Sequence, residues 1–156
     1  LIANARRVTI YGIRQFHSLA AFLTYGLRLI RSDVTILDAN GLGVAEEIGG
    51  MDAGDVCIVA SVAPYSSQVV FAAQVAHERG LDVISITDLA SSPLISNAKV
   101  AIFAPHQSSF ISNSITSFFA VAECVINAVA ASNSEQTEQA LIVRQDLIKR
   151  LNVEDR

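Results

Sequence analysis

Residues 56–60 read Val-Cys-Ile-Val-Ala, an unbroken apolar run led by Asp55 and followed by Ser61-Val62-Ala63-Pro64-Tyr65-Ser66-Ser67. A strand wet on one face alternates apolar and polar side chains. One that is apolar at every position is covered on both faces, as in the middle of a parallel sheet. Pro64 cannot donate to a ladder but suits the first turn of a helix, where its missing N–H would be unpaired anyway. The spacing therefore predicts a helix over 65–79, closed by Gly80. Ser66 and Ser67 place hydroxyls beside the free N–H groups of that first turn. Such a corner can cradle a phosphate or carboxylate, because N–H donors, hydroxyls and the positive end of the helix dipole converge. It can equally be a capped helix start with nothing bound.

Strand and helix signals alternate along the rest of the chain, and no linker or low-complexity tract divides it. Residues 7–12, 34–37, 81–87 and 100–104 read as further strands. Residues 16–30 form a helix with Leu19, Ala20, Leu23, Leu27 and Ile30 on one face. The glycine-rich segment 40–54 reads as a loop with a short helix at 44–48. A long apolar helix is predicted over 110–131 and a charged one over 135–151, with Ser132 and Glu135 as its capping box. Strands joined by helices imply parallel pairing with right-handed crossovers, hence a three-layer α/β/α sandwich over one domain of 156 residues.

Composition narrows the class. Apolar residues make up 51% and charged ones 17%, so the domain is mostly interior or partly covered by a partner. A net charge of −4 argues against gripping a nucleic-acid backbone directly. The most apolar stretch, 118–131, is broken by Glu123 and Asn127, so no membrane span is expected. Cys57 and Cys124 read as reduced core thiols of a cytoplasmic protein. Leu1 is not an initiator methionine and no signal-peptide pattern follows, so the chain reads as a piece of something longer.

In open parallel sheets, ligands sit outside the carboxyl ends of the strands, where the strand order reverses. Those ends are here rich in turn formers and hydroxyls: Gly12, Ser61, Thr87-Asp88, and Pro105-His106-Gln107-Ser108-Ser109. A base for proton transfer could come from His17, His106, Glu46, Glu47 or Glu123, while His77 reads as solvated. Glu123 stands among apolar neighbours and should reach a partner or the crevice rim. No acid–base pair stands at motif spacing, and no cofactor or metal is expected.

Four features carry a resemblance. They are Val8-Thr9-Ile10-Tyr11-Gly12, the aspartate-led strand ending in a serine turn, Ile86-Thr87-Asp88-Leu89-Ala90-Ser91-Ser92-Pro93-Leu94, and Asn97-Ala98 before the last strand. Together they resemble the sugar isomerase (SIS) domain. With the Pro-Tyr-Ser turn and Ser108-Ser109-Phe110-Ile111-Ser112, the chain is most similar to the effector-binding half of RpiR-family bacterial transcription regulators. The resemblance implies a five-stranded parallel, flavodoxin-like sheet and a homodimer or higher homo-oligomer. It implies a phosphosugar or related small anionic effector, bound by a sensor rather than turned over by an enzyme. DNA would be bound only through a helix-turn-helix domain upstream of this chain. The alternative is a phosphosugar aldose–ketose isomerase.

The candidate ligand-binding residues are Gly12, Arg14, Phe16, Ser61, Tyr65, Ser66, Ser67, Asp88, Ser108, Ser109 and Ser112. Two loops depart from the family pattern. Gly12-Ile13-Arg14-Gln15-Phe16 has arginine where a glycine is common and phenylalanine where a ligand serine is usual. In the second loop Ser61 and Ser66 keep two hydroxyls, while Ala63 and Pro64 stand at a serine and a glycine. Arg14 could replace the lost serine contact with its planar N–H fork, and Phe16 could pack on the ligand's carbon skeleton. The other reading has Phe16 as core and Arg14 as solvated. Ile111, Ile115, Phe118, Ala122, Val125, Ile126 and Val129 form an apolar stripe expected to face the sheet and a second subunit.

Overall fold

A computed structural model describes residues 1–38 and 43–153; the first part of the glycine-rich loop, residues 40–42, lies outside the described residues. The strands are β1 (Val8–Tyr11), β2 (Val34–Ile36), β3 (Val56–Ala60), β4 (Asp82–Thr87) and β5 (Val100–Phe103). They pair in parallel in the order β2-β1-β3-β4-β5. The helices are α1 (Gln15–Arg28), α2 (Val44–Gly49), α3 (Ser67–Glu78), α4 (Thr116–Ser132) and α5 (Ser134–Leu151). β3 lies between β1 and β4 with all five residues buried, as its unbroken apolar run requires.

Strand alternation divides the core into two layers. Val8, Ile10, Ile58, Ile84 and Ile86 meet Leu19, Leu23 and Leu27 of α1 and Phe118 and Ala122 of α4. Tyr11, Cys57, Val59 and Val83 meet Val69, Ala72, Ala73 and Ala76 of α3 and Ile48 of α2. Each fully buried aliphatic side chain contributes about 1.5–3 kcal/mol relative to exposure. Burial pushes the Cys57 thiol up to about 12, so it stays protonated in the core. At the amino ends of the strands the Arg6 guanidinium donates to both oxygens of fully buried Asp55, at 2.9 and 2.8 Å. The Asp52 N–H adds a third bond at 3.0 Å. The aspartate that leads β3 is thus a structural clamp, at the opposite end of the sheet from the ligand edge.

Several sequence expectations are corrected. Helix α3 starts at Ser67, with Ser66 as its extended N-cap and Pro64 and Tyr65 in the turn before it. Helix α4 starts at Thr116, leaving Phe110 and Ile111 in a loop, Ile111 at 98% exposure. The apolar periodicity continues through 110–115, but local hydroxyls compete for the backbone. Ser108 Oγ accepts the Phe110 N–H at 3.1 Å and Ser114 Oγ that of Thr116 at 3.5 Å. Helix α5 is capped by Asn133, which accepts the Gln136 N–H at 3.3 Å, while the Ser132 hydroxyl turns back to the Val129 carbonyl at 2.7 Å. Cys124 and Glu123 lie on the exposed face of α4, so neither is core and Glu123 needs no buried partner. Among the described residues, no helix is long and apolar enough to cross a membrane, and no cluster of His, Cys, Asp and Glu is placed to hold a metal ion.

Candidate functional site

The strand order reverses between β1 and β3, and the loops leaving these two strands form a crevice at their carboxyl ends. After β1 the chain turns sharply into α1. A Cβ on Gly12 would lie 2.6 Å from the Phe16 carbonyl oxygen, so only glycine admits the first turn of the helix so close. Arg14 caps that helix at φ 55°, ψ −129°, a region where glycine is favoured and a side chain costs about 1–3 kcal/mol. After β3, the buried Ser61 hydroxyl accepts the Ser66 N–H at 3.1 Å and the Ser61 carbonyl accepts the Thr87 hydroxyl at 2.8 Å. Ser66 then caps α3 without spending its own hydroxyl on the cap.

Between these loops lies a pocket of about 170 Å³, walled by Arg14, Gln15, Phe16, Ser61, Ser66 and Ser112, with Ile13, Val62 and Pro64 as apolar patches. Arg14, Ser61, Ser66 and Ser112, from two helix starts and the loop before α4, therefore line one small volume. Among the described residues, Arg14 is the one ionisable side chain in the wall, and its guanidinium carries donors only. Phe16 is 5% exposed and sits edge-on to Phe118, 5.1 Å between ring centroids. It is a core residue that closes the pocket from within.

The remaining predicted residues lie outside the pocket wall. Tyr65 turns away and donates to Asp88 Oδ1 at 2.8 Å. Ser67 is exposed on the first turn of α3, and Ser108 and Ser109 are exposed in the loop before α4. Asp88 is buried and holds neighbouring loops together rather than facing the pocket. It accepts the Ala63 N–H at 3.3 Å and the Thr87 hydroxyl at 3.2 Å as well as the Tyr65 hydroxyl. Burial works to raise its pKa, but these bonds outweigh it and hold the carboxyl below the usual carboxylate range. Burial and the neighbouring carboxylate push the Tyr65 hydroxyl up. His106 Nδ1 lies 3.3 Å from Asp88 Oδ2, buried but out of line for a hydrogen bond. Neither His106 nor His17, Glu46, Glu47 or Glu123 lines the pocket.

Two contributors were not anticipated. Gln15 lines the pocket and its Oε1 lies 3.5 Å from the Ser112 hydroxyl. As a polar residue opening a helix between Arg14 and Phe16, it was detectable in the sequence. Asn113 donates to the Ala63 carbonyl at 2.8 Å and pins the loop before α4 to the turn after β3. The pair is fifty residues apart, and no local pattern marks it. A larger cleft of about 1240 Å³ opens between α1 and α5. Its lining mixes Arg28, Arg31 and Arg144 with Glu135 and Glu138, and it lies away from the carboxyl ends of the strands, so the small polar pocket where the strand order reverses is the better ligand site.

The family model for the SIS domain matches residues 1–130. No curated protein matches by sequence. Among solved structures, the chain is similar to the sugar isomerase domain of an RpiR transcription factor from Sphaerobacter thermophilus. Identity is 25%, with 93% of this chain and 81% of that chain covered and a TM-score of 0.87. It shares its fold with the Vibrio vulnificus NanR protein complexed with ManNAc-6P, at 19% identity, 95% and 57% coverage and a TM-score of 0.82. It also shares it with a Methanococcus jannaschii protein for which 3-hexulose-6-phosphate isomerase function is inferred, at 16% identity, 92% and 78% coverage and a TM-score of 0.70. With the sheet order, the serine turn after the central strand and the family match all agreeing, the chain belongs to the SIS domain family.

Proposed function

We propose that this chain is the effector-sensing domain of a bacterial transcription regulator in the cytoplasm, acting as a homodimer and binding a phosphosugar in the pocket between β1 and β3. The observation that carries the reading is the pocket wall, which Arg14 at the start of α1 shares with Ser61 and Ser66 in the turn between β3 and α3 and with Ser112 in the loop before α4. This is the chemistry of a phosphate group, and charge-assisted bonds there are roughly twice as strong as neutral ones. Similarity to the RpiR sugar isomerase domain, and to a NanR structure holding ManNAc-6P, supports the same reading. Among the described residues of the wall, none of His17, His106, Glu46, Glu47 and Glu123 is placed to take the proton that aldose–ketose exchange must move, which favours a sensor. Binding would tie the Arg14 turn to Ser112 and, through Asn113, to the turn after β3, shifting the loop before α4 toward one arrangement. An attached helix-turn-helix domain would read that shift at DNA.

Thermal unfolding in the presence of a phosphosugar panel tests this. A ligand at 100 times its Kd stabilises by about 2.7 kcal/mol, so at least one phosphosugar should raise Tm and its dephosphorylated form should not. Ser66→Ala should weaken that ligand by about 1–3 kcal/mol. Incubation in D₂O should leave the carbon beside the sugar carbonyl unlabelled. Label that is lost in His17→Ala or His106→Ala would instead make the chain an isomerase.

A further inference from the structure

Helix α5 is eighteen residues long and not one of them is buried. It follows α4 after a single residue, Asn133, whose non-helical backbone (φ −144°, ψ 72°) separates the two helices. Val143, Leu147 and Leu151 are exposed, Leu151 at 71%, as are Leu141 and Ile142. Few bonds tie the helix back: the Thr137 hydroxyl to the Ala130 carbonyl at 3.0 Å, and Arg144 to the Tyr25 hydroxyl at 3.5 Å. Helices of this length gain most of their stability from burying an apolar face, and this one buries little. The 1240 Å³ cleft that it leaves against α1 has Tyr25, Leu29 and Ile30 on one wall and Ala140, Val143 and Leu147 on the other.

The charge along α5 says what fits there. Its first half carries Glu135 and Glu138; its second half carries Arg144, Lys149 and Arg150 against one acid, Asp146. A second α5 laid antiparallel sets each acidic half against a basic half, whereas a parallel one sets like against like. The helix is therefore self-complementary under a twofold axis, the symmetry of the commonest dimers. The occupant would also bring the same apolar residues, Val143, Leu147 and Leu151, that its host leaves uncovered.

We propose that α5 is a dimerisation arm, which enters the α1–α5 cleft of a second copy of this chain in antiparallel register. The inference rests on the self-association in the reading above but not on what the pocket binds. It also moves the expected interface from α4 to α5. Two variants test it: Glu135→Lys with Glu138→Lys leaves Asp146 as the arm's one acid, and Lys149→Glu with Arg150→Glu makes the arm predominantly acidic. In sedimentation at low salt and micromolar concentration the wild type should run at twice 16.6 kDa. Each variant alone should dimerise about tenfold more weakly, with unchanged helical circular dichroism, and an equimolar mixture should recover wild-type association. Recovery on mixing cannot come from misfolded chains. A wild type that is monomeric overturns the proposal, as does a dimer indifferent to both variants, which would place the interface on another face.

Discussion

Arg14 keeps a backbone conformation that disfavours side chains, and the fold around it offers no compensating cap. A strained residue in the wall of a polar pocket is what a ligand contact would explain. Replacing it by glycine should separate the two roles: Arg14→Gly should raise stability by about 1 kcal/mol in urea unfolding while weakening phosphosugar binding tenfold or more. Arg14→Ala should lose binding without that gain. Gly12→Ala should act in the opposite way, destabilising by about 1–3 kcal/mol, because its Cβ meets backbone rather than a side chain that can move. The thiols give a third expectation. Cys124 is exposed and Cys57 is buried with its pKa raised, so a thiol reagent should titrate one equivalent in the native protein and two in denaturant. Gly12, Ser61 and Ser66 were legible as turn-forming residues at the strand ends because their neighbours in sequence define their turns. Tyr65 was not, because its orientation is set by Asp88, 23 residues further on.

At the scale of elements, three loops are latched at one carboxylate. Asp88 holds the turn after β3 through the Ala63 N–H and the Tyr65 hydroxyl, and His106, from the segment after β5, lies against it. In the unfolded chain Asp88 titrates near 3.8, and in the fold it titrates lower. The folded state thus binds fewer protons in that range. Its contribution to stability is complete above about 3.8 and is lost as pH falls through the folded value. The urea midpoint of the wild type should therefore fall more steeply below about pH 4 than that of Asp88→Asn. An equal slope in the two proteins would mean that the latch adds no linkage. Element types were legible from hydrophobic periodicity, but starts were less so. Periodicity alone runs α4 back to residue 110, since it does not register that Ser108 and Ser114 draw the backbone into turns.

For the molecule as a whole, the alternation of apolar strands and amphipathic helices was enough to give a parallel three-layer sheet, because each buried strand had to find a cover on both faces. The position of α5 was not legible in that way. Its sequence shows an amphipathic helix, yet nothing local says whether its apolar face meets its own body or another copy. The pocket lies between these two cases: the strand ends were polar in sequence, and the parallel topology brought two of the four predicted loops fully into one wall. Its role as a phosphosugar site is tested most directly by backbone amide NMR during titration with the phosphosugar that most raises Tm. Saturable shifts are expected at residues 12–16, 61–67 and 112–113, abolished by Arg14→Ala. Shifts centred on α5 or on the exposed face of α4, with those three segments still, would contradict it.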